Sequence, residues 1–228
     1  MSSSLVQHVA SIIRNSCENL PDLKPHHNAY PIIEKKDIFI VNEMHECRGL
    51  RKVHLETGYT DNIEVMHCVL YPDPEYPIPI FGADIVATPT VVTAAIADIS
   101  PVYKTDKIYK KLGKLASKYE FKEKRPLPEW ADIFSPYCQF MRLRNEEEKS
   151  LYGCMIEEFI DFYVDIVKKA KKDNDWVNTM LRFDDQIHYC KQQRKNKKTK
   201  AVLSKWFSPE FAEGYINDIL FDIPPIPK

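Results

Sequence analysis

The chain has 228 residues, 44% of them hydrophobic and 29% charged, the balance of a soluble globular protein with enough length for one substantial core. Its 32 Lys and Arg against 33 Asp and Glu leave a formal net charge of -1, which argues on global charge against a nucleic-acid binder and against an acidic tail protein. Six cysteines (Cys17, Cys47, Cys68, Cys138, Cys154 and Cys190) form no CxxC pair and fit no zinc or iron–sulfur spacing. They read as reduced thiols of a cytoplasmic protein, with no metal expected. The N-terminus MSSSLVQHVAS lacks a basic stretch followed by an apolar one, so no signal peptide is expected. The longest apolar region, 80–99, contains Asp84, Pro89 and Asp98, a pattern that argues against a membrane span.

Taken in chain order, residues 4–19 carry Leu5, Val9, Ile12 and Ile13 at helical spacing and predict an amphipathic helix, ended by the prolines of LPDLKPHHNAYP. From 31 to 100 the pattern changes to short β-rich runs: IIEKKDIFIVNEMHE, RKVHLETG, NIEVMHCVLY, PIPIFGADIVA and VVTAAIADIS. Turn chemistry such as GYTDN and PDPEYPIP separates them and favours an antiparallel meander. After Pro101 the chain turns mainly helical. Residues 103–119 predict a Lys-rich amphipathic helix, PLPEWADIF a loop with a short helix, and SPYCQFMRL one more strand. Asn145 is placed to cap a long helix with Glu146, Glu147 and Glu148 in its first turn and Lys168, Lys169 and Lys171 near its end, as the helix dipole favours. Leu151, Met155, Ile156, Phe159, Ile160, Tyr163 and Val167 mark its buried stripe. Further helices are expected at 175–194 and 200–220. The sum is a single α+β domain over 1–228: a three-layer α/β/α sandwich around a central antiparallel sheet.

Two ionisable groups interrupt apolar strands. If 64–71 and 80–87 form a hairpin around PDPEYPIP, a symmetric register sets His67 opposite Asp84, on a face shared with Val65, Val69, Gly82 and Val86. Gly82 leaves room there for a ligand to approach the sheet. Burial raises the pKa of an Asp on such a face and a nearby imidazolium opposes that shift, so the two titrate as a coupled pair suited to general acid work. A purely structural Asp–His hydrogen bond accounts for the same residues equally well. Glu56, on the preceding strand, is a third acid whose register is open, and by itself it reads as a solvated strand residue.

Local charge is uneven. Six of the ten residues 191–200 are Lys or Arg and none is acidic. The plainest reading is a solvated helix end. A second is a docking site for an acidic protein, with Lys191, Arg194, Lys195 and Lys197 as the contacts. A third is phosphate-backbone binding, weakened by the absence of interleaved aromatics. Arg142, alone in CQFMRL, either pairs bidentately with a ligand carboxylate or stands at the sheet edge in water.

The blocks HCVLYPDPEYPIPIFGADIVATP, TAAIADISP, IFSPYCQFMR and QIHYCKQQRKNKKTKAVL, followed by YINDILFD, resemble the ferredoxin-dependent bilin reductases from about residue 45 onward. The resemblance implies an α/β/α sandwich, biliverdin IXα bound between sheet and C-terminal helices, and no bound metal or organic cofactor. It implies reduced ferredoxin as external electron donor and bilin radicals as intermediates, so that the protein's task is proton delivery. By motif it makes Asp84 (in FGAD) and His67 (in MHC) the central acid–base pair, and Glu56 (in HLE) the acid linked to reduction of the D-ring vinyl group. Asn196 and Lys198 (in KNKKT), Arg142 and Thr93, which replaces a usual serine, become substrate-binding residues. The segment between HLE and MHC is one residue shorter than in typical members. A glutamate at 56 favours phycocyanobilin as product. Phycoerythrobilin formation, a non-catalytic bilin carrier and a nucleic-acid-binding module are the alternatives, and a monomer is expected.

Overall fold

The computed structural model describes residues 4–227. Helix α1 (Leu5–Cys17) starts where the Ser4 side chain accepts from the Gln7 amide, and it buries Val6, Val9, Ala10, Ile13 and Cys17. Among the described residues nine strands follow: β1 (Lys24–Pro25), β2 (Ile32–Lys35), β3 (Ile38–Cys47), β4 (Leu50–Tyr59), β5 (Glu64–Pro72), β6 (Ile80–Ala87), β7 (Val92–Ser100), β8 (Glu123–Lys124) and β9 (Gln139–Leu143). They form one antiparallel sheet in the order β1-β3-β4-β5-β6-β7-β9-β8, with β2 also paired to β3. The run IIEKKDIFIVNEMHE is thus two strands rather than one. Its Lys36 adopts φ 55° and turns β2 back onto β3.

The remaining helices are α2 (Tyr109–Ala116), α3 (Glu146–Lys169), α4 (Trp176–Gln193), α5 (Lys197–Trp206) and α6 (Pro209–Tyr215). Asn145 caps α3 through a bond from the Glu148 amide, as its sequence position suggests. The expected helix over 103–119 is shortened: Lys104 takes φ 64°, and a single 3₁₀ turn at Asp106–Ile108 precedes α2. PLPEWADIF contains turns but no helix. The expected helix over 200–220 is interrupted at Ser208–Pro209, because proline has no amide to donate and is tolerated in the first turn of a helix rather than its middle. Ser208 caps α6 there, and α6 runs into a π-helical turn, Ile216–Leu220.

Strand alternation sorts the side chains into two layers. One face, with Leu55, Met66, Cys68, Phe81, Ile85 and Ala97, packs under α1, α2 and α3 as the main core. The other face, with Met44, Val69, Tyr71 and Ile80, packs under α4, α5, α6 and the π turn through Tyr189, Cys190, Leu203, Tyr215 and Leu220. The sheet is therefore sandwiched. The second helical layer does not cover the whole face, however: on β6, β7 and β9, Asp84, Ala94, Ile96 and Phe140 are half-buried and Val86 is exposed.

Candidate active site

The β5–β6 hairpin has the register counted from its loop: His67 pairs with Asp84, and Val69 with Gly82. The β4–β5 pairing adds Glu56 directly opposite His67, and β3–β4 adds Asn42 opposite Glu56. On the far side Asp84 pairs with Ile96, and Ile96 with Phe140. One row of side chains thus crosses the sheet: Asn42, Glu56, His67, Asp84, Ile96, Phe140. Glu56 is 5% exposed, which overturns the reading of it as a solvated strand residue. The short turn between β4 and β5 leaves its register intact.

Across this row the environment grades from dry to open. His67 Nδ1 lies 2.5 Å from Asp84 Oδ1, with the His67 side chain 11% and the Asp84 side chain 42% exposed. Burial pulls the His67 imidazolium down, but the Asp84 charge, its hydrogen bond and the Glu56 charge outweigh it, and the pKa is raised. Burial likewise raises the Glu56 carboxyl, with the His67 charge and a bond from Tyr215 opposing. A carboxyl and an imidazole that both favour their protonated forms, beside an aspartate facing the open part of the sheet, form a group able to hold and release protons there.

The walls come from the C-terminal helical layer. The Tyr215 hydroxyl donates to Glu56 Oε2 at 2.5 Å. The Phe221 ring meets His67 edge-on, 5.4 Å between centroids. A methyl at Gly82 would stand 3.1 Å from the Tyr189 hydroxyl, so the absent side chain keeps open the space between sheet and α4. Tyr189 is held by Gln193 at 3.0 Å.

A family model described as ferredoxin-dependent bilin reductase matches residues 12–222. The chain belongs to that family. It is 39% identical over 233 residues to the phycocyanobilin:ferredoxin oxidoreductase of Synechococcus sp. (strain CC9902), covering 98% of this chain and 94% of that protein. It is 39% identical to the enzyme of the same name from Prochlorococcus marinus (strain MIT 9303), covering 97% and 87%. Among solved structures, tomato phytochromobilin synthase in complex with biliverdin superposes with a TM-score of 0.81 over 96% of this chain and 83% of that one. At 16% identity that likeness speaks for the fold.

The bilin reductase places its other expected site residues as follows. Arg142 lies two positions along β9 from Phe140 on the same face, half-exposed, with Glu123 at 3.6 Å. Thr93 stands at the β6–β7 bulge and donates to the Val86 carbonyl at 3.0 Å. Asn196 caps α5 by accepting from the Lys198 amide, and the Lys198 side chain is exposed. Among the described residues neither is hydrogen-bonded to the Glu56–His67–Asp84 row. Lys191, Lys195 and Lys197 are exposed. Arg194 is a correction to the docking set: it is half-buried, and its guanidinium donates to the Asn217 and Phe221 carbonyls, pinning the π turn. No helix among the described residues is long and apolar enough to cross a membrane.

Sequence reasoning missed four residues of this centre. Asn42 and His54 are on the face of β3 and β4 that carries Glu56. His54 is fully buried, and its pKa is driven well below the usual imidazole range by burial first, then by the Lys52 and His67 charges. Its Nε2 lies 2.7 Å from Asn42 Oδ1, and its ring meets that of His67 edge-on at 5.7 Å. Strand alternation from Glu56 back through His54, and the register onto β3, was the signal available for these two. Tyr215 and Phe221 carry no such signal, because their strand partners are chosen by tertiary packing.

Proposed function

We propose that this bilin reductase reduces biliverdin IXα to phycocyanobilin, taking four electrons one at a time from reduced ferredoxin and adding four protons from water through its own side chains. The observation that carries the reading is the row Glu56–His67–Asp84 on a sheet face that is only half covered by helices. Relatives named phycocyanobilin:ferredoxin oxidoreductase, alike over nearly the whole chain, support the product. The biliverdin in the tomato synthase complex supports the substrate.

In this reading the tetrapyrrole lies on the open face over Asp84, Ile96 and Phe140. Asp84 and His67 protonate its centre, and Glu56 acts on the D-ring side. Arg142 and Lys198 neutralise the propionates, with Thr93 and Asn196 as polar neighbours. Glu123 must yield Arg142 for that pairing to form. Ferredoxin docks on the exposed lysines 191, 195 and 197, where opposite charge speeds encounter. The protein works as a cytoplasmic monomer without a bound prosthetic group. Anaerobic turnover of biliverdin IXα with reduced ferredoxin, with products separated against phycocyanobilin and phycoerythrobilin standards, tests this. Phycocyanobilin supports the assignment of all three acids. Phycoerythrobilin removes the D-ring role of Glu56, and binding without reduction leaves a carrier.

A further inference from the structure

The setting of Glu56 can be traced through hydrogen-bond directions. Asn42 Nδ2 donates to the Tyr30 carbonyl at 2.8 Å, which fixes which end of the amide is the nitrogen. Its Oδ1 is therefore the acceptor, and His54, held neutral by burial, donates to it from Nε2. The second Nδ2 hydrogen goes to the Tyr215 oxygen at 2.7 Å. Tyr215 has one proton to give: Asn42 Oδ1 stands 3.0 Å from its oxygen but already accepts from His54, and the shorter contact, 2.5 Å, directs the proton to Glu56 Oε2. Among the described residues Tyr215 is the one side chain that hydrogen-bonds this carboxyl, so Oε2 is committed and the acidic proton of neutral Glu56 resides on Oε1.

Tyr215 also has a fixed seat. It ends α6 and enters the π turn. That turn is anchored to the sheet by Lys52, whose buried Nζ donates to the Ile219 carbonyl at 2.8 Å and pairs with Asp222. Arg51 adds bonds to the Asp222 side chain and carbonyl, and Arg194 holds the Phe221 carbonyl. Three cations thus fix a five-residue turn whose two ends touch the acid centre, Tyr215 on Glu56 and Phe221 on His67.

We propose that Tyr215 is a positioning residue that sets the regiochemistry of reduction: by binding one oxygen of Glu56 it presents the other as the proton donor for the D-ring step. The proposal rests on the role given to Glu56 above. Tyr215→Phe keeps the ring packed against Phe211 and Tyr30 and removes only the hydroxyl. A bond from a neutral donor to a carboxylate favours the charged form, so its loss raises the Glu56 pKa further.

The experiment compares wild type, Tyr215→Phe and Glu56→Gln in anaerobic turnover with biliverdin IXα and reduced ferredoxin, across pH, with products separated by chromatography. Tyr215→Phe is expected to lower the fraction of fully reduced product about tenfold in favour of a two-electron product that retains the D-ring vinyl. A protonated general acid loses activity as pH rises through its pKa, so the alkaline limb of the D-ring step moves to higher pH. Infrared difference spectra of the apoprotein read the same shift in the protonated-carboxyl stretch that Glu56→Gln deletes. A changed product ratio in Glu56→Gln with wild-type ratio and pH profile in Tyr215→Phe overturns the role of Tyr215 alone. An unchanged ratio in Glu56→Gln overturns the D-ring role of Glu56 and the proposal with it. A uniform loss of rate in Tyr215→Phe, with ratio, pH profile and infrared band unmoved, assigns Tyr215 a packing role and also overturns the proposal.

Discussion

Replacing Asp84 by asparagine removes the charge that keeps the buried His67 protonated while retaining the shape of the side chain. The wild-type contact is 2.5 Å. A hydrogen bond between charged groups contributes about 1.5–3 kcal/mol. The Asp84 side chain is 42% exposed, so solvent screening places this pair at the low end, about 1.5 kcal/mol. Its loss lowers the His67 pKa. Burial, the largest influence on this imidazole, then prevails and its neutral form is favoured.

The direction for stability follows from the raised pKa. In the wild type, His67 binds its proton more tightly folded than unfolded. Its contribution is full below the unfolded value, about 6.5, and is lost as pH rises through the raised folded value. Glu56 acts in the same sense, because burial raises its pKa too. In Asp84→Asn the His67 contribution reverses: folding now costs more at acid pH, where the buried ring must give up its proton. The assay is the carbon-13 titration of histidine rings in the apoprotein, with the His67 signal assigned by its absence in His67→Gln. Thermal unfolding at about pH 6 and about pH 8 accompanies it. A His67 pKa that stays put in Asp84→Asn, or a wild-type and variant Tm gap that is the same at both pH values, would refute the coupling. With substrate and reduced ferredoxin, the same variant should hold pigment but stall before full reduction, and complete product formation would end the case for Asp84 as a proton donor.

Gly82→Ala puts a methyl 3.1 Å from the Tyr189 hydroxyl; a change in stability under about 1 kcal/mol and a roughly tenfold loss of biliverdin affinity are expected from thermal unfolding and absorbance titration, and unchanged affinity would show that this gap is not used. Asp98, buried beneath the loop before β9, accepts from Ser100 Oγ and from both the amide and hydroxyl of Ser135; Asp98→Asn should cost about 2–3 kcal/mol in urea unfolding, and a loss under about 0.5 kcal/mol would mean the loop is held otherwise. Replacing Lys191, Lys195 and Lys197 together by glutamate should raise the KM for ferredoxin at least about tenfold at low salt, with the gap to wild type closing as salt screens the surface. Biliverdin binding should be unaffected, and a KM insensitive to both charge and salt would move the docking surface elsewhere.

How far the site was legible in the sequence depended on whether a register could be counted. The β5–β6 loop is short enough for its centre to be located, and that centre alone pairs His67 with Asp84. The same count from Thr60, the centre of GYTDN, sets Glu56 opposite Glu64 rather than His67, because the loop between β4 and β5 is 60–63 and the turn motif does not mark its centre; read as an isolated residue, a glutamate in a strand defaults to solvent, because burial of a single acid without a visible partner is costly. The partner is Tyr215, 159 positions away, and no periodicity within a segment reports a contact made by a π turn laid across the sheet. The same limit explains Arg194. As one of six cations in ten residues it reads as surface charge, and what turns it inward is the row of free carbonyls at the end of the π turn.

The helix boundaries divide on the same physics. α3 was readable to the residue at its start because its cap is local, Asn145 to the Glu148 amide. The apolar spacing over 200–220 predicts a helix running through Pro209, although a proline breaks a helix interior; the periodic apolar residues on both sides mask the break. That misreading matters for function. A continuous helix would have carried Tyr215 and Phe221 in one rigid direction. The break at Ser208–Pro209 and the π turn let α6 lie across the acid row, so that Tyr215 reaches Glu56 and Phe221 reaches His67. The proline rule is therefore what places Tyr215 and Phe221 against Glu56 and His67.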